Sequence, residues 1–326
     1  MGQNEQPEIA VIIPVHNRRE TTLNCLRQLQ EIRTDDACMD IVIVDDGSTD
    51  GTAEAVMDLY PDAIILSGDG SLWWTGAINV GVRFALEKGY NKVLIMNDDL
   101  ELDGDFLKHL LDVASQNPDA LVSSVTVTRV DAEREEILTA GFKRVGILED
   151  ICMLHAGELY KGDLEKVIRC DFLTGASLLV PVNVFMKIGL FDDRNFPHNW
   201  GDFEFTLRAS LNGYPCLVAS RSKVYTEYNL NYPSWYFFSS TRRAYLLNLF
   251  NSTKFLYGFR GIRKTSYMHR SFVIGTLLYL RRMIGLIKSI LLKLLLPRDT
   301  LRKYLVEQAK KSGAQEFLIN KLKSAQ

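Results

Sequence analysis

Two pairs of neighbouring carboxylates stand directly after short apolar runs in this chain. Asp45 and Asp46 follow the run IVIV (residues 41–44), and Asp98 and Asp99 follow VLIM (residues 93–96) and Asn97. Adjacent acids at the end of a strand suit a hard divalent cation, Mn2+ or Mg2+. Such a cation takes oxygen ligands and is commonly shared between one or two carboxylates and a substrate's phosphates. Successive side chains of an extended strand point to opposite faces, so Asp98 and Asp99 are expected to divide their work between the cation and a substrate hydroxyl. Asp202, in the tripeptide WGD, carries two readings: a general base that takes a proton from an attacking hydroxyl, or an N-cap for a helix predicted to begin near Phe203. Glu204 reads as a structural or solvated acid. Trp73 and Trp74 stand side by side, as core residues or with one forming a platform for a ring, and Trp200 is a further platform candidate. The chain has no G-x-x-x-x-G-K-[ST] loop, no G-x-G-x-x-G after its first strand, no G-x-S-x-G and no H-E-x-x-H. A P-loop enzyme, a dinucleotide fold, a serine hydrolase and a zincin are thereby disfavoured.

These residues need elements to carry them. IAVIIPV (residues 9–15) reads as a buried strand. Asn17 with Glu20 reads as a capping box for the helix that follows. IVIV is the second strand, a helix covers residues 51–59, and Ile64–Leu66 is the third strand. A helix over about residues 77–87 leads into the fourth strand, VLIM. Strands alternating with helices imply a parallel sheet, whose carboxyl edge is where open α/β sheets bind ligands. His16-Asn17, Asp45-Asp46 and Asp98-Asp99 all follow strands at that edge. Further strand-like stretches occupy residues 121–130 and 176–181.

At 326 residues, 47% hydrophobic and 24% charged, the chain has the balance of a globular protein of about two domains. Its net charge of −2 conceals a split. Residues 1–234 carry 20 Lys and Arg against 37 Asp and Glu, and residues 235–326 carry 18 against 3, net charges of −17 and +15. Five cysteines (Cys25, Cys38, Cys152, Cys170 and Cys216) make an odd number without C-x-x-C spacing, which points to free thiols in a reducing compartment. The beginning MGQNEQPE is polar and lacks the apolar run of a signal peptide.

VIIPVHNRRETTLNCLRQL, IVIVDDGSTDGT, VLIMNDDLEL, FLTGASLLVPVNVFMKIGLFDD and WGDFEFTLRASLNGY, in that order over about residues 9–228, resemble the family 2 glycosyltransferases. GDGSLWWTGAINVG resembles a bacterial, rhamnosyltransferase-like subgroup of them. The resemblance implies a GT-A-type fold, with a mixed, mainly parallel sheet flanked by helices, and a nucleotide-diphosphate sugar as donor. By the same resemblance Pro14, Val15 and His16 line a nucleobase pocket and Asp46 contacts base or ribose. Asp98 touches the ribose, Asp99 holds the metal, and Asp202 is the catalytic base of an inverting transfer. Three positions depart from the family's pattern: Gly201 stands for a frequent Glu, Ile78 for an Arg and Thr226 for a His. A nucleotidyltransferase and a degenerate module that binds a glycan or nucleotide are the alternatives.

The domain organisation expected is a polar tail (1–8), a catalytic domain (9–230) and a basic, helical C-terminal extension (231–326), with the boundary near residues 228–235. Within the extension, FVIGTLLYLRRMIGLIKSILLKLLL (residues 272–296) places Arg281, Arg282, Lys288 and Lys293 within an arc of about 140°, opposite Ile284, Ile287, Leu291 and Leu294. An amphipathic basic helix of this kind fits lying on an anionic membrane surface, or packing on the catalytic domain, better than it fits RNA. The partners expected are the donor, a glycan or lipid-linked acceptor and the inner face of the cytoplasmic membrane, with no nucleic acid.

Overall fold

The computed structural model describes residues 9–32, 39–131, 134–226 and 259–311. The expected polar tail, the boundary near residues 228–235 and Cys38 lie outside the described residues. The chain divides into two compact units, the first holding nearly all of Met1–Thr226 and the second Val130–Arg134, Val145–Asp150 and Glu227–Gln326.

The first unit opens with β1 (Ile9–Val15), α1 (Arg19–Glu31), β2 (Met39–Asp45), α2 (Thr52–Leu59), β3 (Ile64–Ser67), α3 (Trp73–Lys88) and β4 (Lys92–Met96). It continues with β5 (Glu101–Leu102), α4 (Phe106–Gln116), β6 (Leu121–Arg129) and β7 (Glu135–Thr139). A hairpin, β8 (Phe142–Val145) and β9 (Asp150–Met153), whose tip Val145–Asp150 belongs to the second unit, precedes β10 (Val167–Cys170), β11 (Ser177–Pro181), α5 (Val182–Ile188), α6 (Gly201–Leu211) and β12 (Cys216–Tyr225). Among the described residues ten strands form one sheet, in the order β10-β12-β6-β11-β4-β1-β2-β3, with β5 on β12 and β7 on β6. β1, β2, β3 and β4 are parallel, β11 runs antiparallel to β4 and β6, and β12 is parallel to β6.

β1 is apolar throughout because both of its faces are covered. Ala10 and Ile12 share one core with Ala77, Ile78 and Val82 of α3. Ile9, Val11, Ile13 and Val15 share the other with Leu26 of α1 and Phe106 of α4. Pro14 sits where pairing with β4 has ended at Ile12, so its missing N–H costs that ladder nothing.

Two helix starts differ from expectation. Asn17 and Glu20 form no capping box: α1 has no side-chain cap, and Asn17 Oδ1 instead accepts from Thr49 N at 2.7 Å. α3 begins at Trp73, four residues before the predicted start, because a distant carboxylate serves its first N–H groups, as described below.

In the second unit, α7 (Phe259–Tyr267), α8 (Phe272–Leu295) and α9 (Arg298–Lys311) are described. Ser271 caps α8, its hydroxyl accepting from Ile274 N at 3.3 Å. Arg281 forms a bidentate ion pair with Asp150, and Arg270 Nη2 donates to Glu149 O at 2.9 Å. No helix of the described residues is long and apolar enough to cross a membrane.

Candidate active site

The loops after β1, β2, β3 and β4 meet at the carboxyl edge, and each is tied to its neighbour by side chains. His16 Nδ1 donates to the carbonyl of Asp46 at 2.6 Å, and Nε2 is left to accept from Asn17 Nδ2 at 3.1 Å. Asn17 N donates to Ser48 Oγ at 2.8 Å. Val15 turns its side chain into the core and Pro14 is half-buried, while His16 is exposed on the loop.

Asp46 is 6% exposed and spends both oxygens on the chain after β3. Oδ1 accepts from Gly70 N at 2.8 Å and Leu72 N at 3.2 Å, and Oδ2 accepts from Trp73 N at 3.0 Å. The first amides of a helix lack partners within it and favour negative charge. Asp46 thus caps α3 from another strand, and it holds Trp73 at a positive φ of 56°.

Asp98 and Asp99 stand in the turn after β4, beyond the strand whose alternation was expected to separate them, and they differ in exposure. Asp98 is 2% exposed, whereas the side chain of Asp99 is 40% exposed. Thr22 Oγ1 donates to Asp98 Oδ2 at 3.1 Å. Arg18 spans both acids, Nη1 lying 3.2 Å from Asp98 Oδ1 and Nη2 3.1 Å from Asp99 Oδ2. Burial pushes the Asp98 carboxyl up to about 6, against the opposing pull of Arg18. Sequence reasoning missed Arg18 because its partners lie about 80 residues away, and nothing local sets it apart from its neighbour Arg19 in the first motif.

The third part of the site joins α3, β4 and α6. Trp74 Nε1 donates to Asn97 Oδ1 at 2.9 Å. The Asp202 carboxylate accepts from Gly175 N at 2.8 Å through Oδ2 and from Phe203 N at 2.9 Å through Oδ1. Asp202 lies within α6 and is not its cap, which is Trp200 at φ 68°. Burial raises the Asp202 carboxyl, opposed by those backbone bonds. Gly175 has no room for a side chain: a Cβ there would stand 2.6 Å from Trp74 and 3.2 Å from Asp202 Cβ. Trp74, Asn97, Gly175 and Asp202 are therefore one contiguous group. The ring of Trp73, more exposed than that of Trp74, packs edge-on with His198 at 5.5 Å between centroids, and Trp200 is half-buried against Phe203.

The three departures acquire physical settings. A Cβ at Gly201 would lie 2.5 Å from Thr75 Oγ1, a buried hydroxyl that donates to Phe196 O at 2.6 Å, so no larger residue fits there. Ile78 is fully buried in the core against β1. Thr226 follows Tyr225, which pairs with Glu101 two residues beyond Asp99, so it shares the edge with the carboxylates. Glu204 is structural, buried and paired with Arg208 Nε at 2.8 Å. Among the described residues no group of three or more His, Cys, Asp and Glu could hold a metal by itself. The acids fit a cation shared with a substrate's phosphates and do not fit one held by protein alone.

Residues 10–171 match the model of the family described as Glycosyl transferase family 2. No curated protein matches the chain in sequence. Among solved structures, GalNAc-T7 with UDP, GalNAc and Mn2+ is similar at a TM-score of 0.57 and 14% identity, over 82% of this chain and 52% of that one. This chain thus spans about half the length of GalNAc-T7. The mannosyltransferase PcManGT from Pyrobaculum calidifontis, in complex with GDP-Man and Mn2+, is similar at 0.53 and 14% identity, over 96% and 78% of the two chains. S. aureus TarS in complex with UDP is similar at 0.52 and 14% identity, over 91% and 78%. The fold is that of the GT-A glycosyltransferases.

Proposed function

We propose that this protein is an inverting glycosyltransferase that moves a hexosyl group from a nucleotide-diphosphate sugar to a glycan or lipid-linked acceptor. The observation that supports the reading is that Trp74 bonds Asn97, the residue before Asp98 and Asp99, and meets Asp202 across Gly175. Asp202 takes the proton of the acceptor hydroxyl as that oxygen attacks the anomeric carbon, and the bond from that carbon to the diphosphate breaks. The electron pair leaves with the nucleoside diphosphate, and no enzyme nucleophile is needed. A carboxyl raised by burial is better matched to this work near neutral pH than an ordinary aspartate.

The loop at Pro14 and His16 forms the wall beside the nucleobase, and the backbone of Val15 continues it. Asp46 is assigned to base or ribose, and it also holds the loop from Gly70 to Trp73. Asp98 is assigned to the ribose side. Asp99 would hold a divalent cation, Mn2+ or Mg2+, together with the donor's phosphates, and that cation when bound neutralises charge on the departing diphosphate. Trp74 and Trp200 are the platforms under the sugars. The GDGSLWWTGAINVG stretch supports a rhamnosyltransferase-like member that works in polysaccharide or cell-envelope synthesis, in the cytoplasm or at the inner membrane face.

The test is a screen of nucleotide sugars by thermal shift with Mn2+ or Mg2+, followed by product analysis on the donors that stabilise the protein. Release of free nucleoside diphosphate with an inverted anomeric product is expected. Release of pyrophosphate would make the protein a nucleotidyltransferase. Donor binding with no turnover on any glycan or lipid-linked acceptor would leave a binding module.

A further inference from the structure

α8 carries two apolar faces, and one of them is out in solvent. Leu286 is buried with Ile262 of α7, and Tyr279, Met283 and Ile290 pack against that pair. On the other side Val273, Leu277, Leu280, Ile284, Ile287 and Leu291 recur at alternating spacings of four and three. At about 100° per residue they fall within an arc of about 80°. Ile284 is 67% exposed and the other five are about half exposed or more. They form an uninterrupted ridge about three heptads long.

The basic residues do not stand on this ridge. Arg281 is paired with Asp150, Arg282 Nη1 donates to Thr265 Oγ1 at 2.9 Å, Lys288 lies 5.8 Å over the ring of Tyr304, and Lys293 is buried. Arg281 and Lys288 remain exposed along one flank. The helix itself contains no acid. Residues 259–311 hold 13 Lys and Arg against 2 Asp and Glu, a net charge of +11.

We propose that this ridge seats in the interface of an anionic lipid bilayer, with α8 lying along the surface. An interfacial helix of this kind buries an apolar face among the acyl chains while basic groups beside it meet the headgroups. The charge decides between this occupant and a second copy of the chain. In a coiled seam between two copies, Arg281 and Lys288 would flank the seam with no acid on either α8 to answer them, whereas paired coils place opposite charges there. An anionic surface answers the whole of the +11.

The experiment is flotation of the full-length protein with vesicles of phosphatidylcholine and phosphatidylglycerol in equal parts, and with vesicles of phosphatidylcholine alone. The protein should float with the first and far less with the second. High salt should release only part of it, because the apolar contribution is not screened. Ile284→Glu should weaken vesicle partition about tenfold or more, and Lys288→Glu about fivefold for each unit of charge changed. Circular dichroism and a melting curve check that both variants fold. Since the wild-type arms do not depend on the variants, a variant that fails to fold leaves the test intact. Absence of the protein from anionic vesicles at low salt overturns the proposal. So does a wild-type dimer in sedimentation that Ile284→Glu converts to monomer without change in flotation; the ridge would then be a contact between copies. Flotation does not measure sugar transfer, so its failure is distinct from failure of the catalytic reading.

Discussion

Replacing Asp202 by Asn separates the chemistry of this carboxylate from its structural work. The aspartate accepts two backbone N–H groups, from Gly175 at 2.8 Å and Phe203 at 2.9 Å. An asparagine has one carbonyl, so one bond is kept and the other is lost. Hydrogen bonds to a charged acceptor contribute about 1.5–3 kcal/mol, and part of that loss is offset because a buried charge disappears. At about 2–4 °C per kcal/mol for a unit of this size, the melting temperature should fall by about 3–10 °C. Loss of a general base costs about 10²–10⁴-fold, or roughly 2.7–5.4 kcal/mol of transition-state stabilisation. Release of nucleoside diphosphate in the presence of acceptor should therefore drop by that factor, while calorimetric affinity for the donor nucleotide stays within a few-fold. pH gives a second signature. Burial holds the folded-state carboxyl above its ordinary 3.8, so wild-type activity should decline on acidification through that raised value, and the residual activity of the variant should lack this limb. Stability has the opposite sign. The folded state keeps a proton that the unfolded state has released, so this group's contribution is full below the unfolded value and is lost as pH rises through the folded one. The substitution should therefore destabilise more in acid than near neutrality. Turnover within a few-fold of wild type would refute the assignment of Asp202 as the base.

Asp46→Ala removes the acceptor of three backbone amides and should lower stability by about 3–5 kcal/mol, read as a shift of the denaturant midpoint; a loss under about 1 kcal/mol would mean that the start of α3 holds without it. Chelation by EDTA, or Asp99→Ala, should weaken nucleoside diphosphate binding far more than nucleoside binding in calorimetry; equal affinities with and without metal would remove the cation from the site. Gly201→Ala should cost about 1–3 kcal/mol by overpacking against Thr75, and Thr75→Ser combined with it should not restore stability, because the closest atom is the retained hydroxyl oxygen.

The strands were legible for a physical reason. β1 and β4 are covered on both faces, and a doubly buried strand reads as a continuous apolar run. Strand alternation does not reach Asp98 and Asp99, because β4 ends at Met96 and both acids stand in the turn that follows. What could not be read were interactions set by the sheet order. α3 starts at Trp73 because Asp46, 27 residues earlier, reaches its first amides across neighbouring strands. Asn17 has the residue type of a cap and instead braces the loop after β2. Arg18 meets Asp98 and Asp99 only because β1 and β4 are neighbours in space. Gly201 looked like a loss at the site until Thr75 showed that its position admits no side chain. In α8 the periodicity gave the apolar arc, but whether its basic residues face solvent or their own unit depended on Asp150, far away in the chain, and on Thr265 and Tyr304 of the neighbouring helices.

The ties between loops have a consequence for how this edge comes apart. His16 holds the turn at Asp46, Asp46 holds Gly70 to Trp73, Arg18 holds Asp98 and Asp99, Trp74 holds Asn97, and Asp202 holds Gly175. Each loop is fastened to the next one rather than to the strand that bears it. Opening any one of them strips partners from its neighbours, so the edge behaves as one cooperative opening unit and not as five independent lids. The amides of Gly70, Leu72, Trp73 and Gly175 then exchange with solvent through a shared event. A ligand that grips two of these loops slows exchange in all of them, including those it never touches.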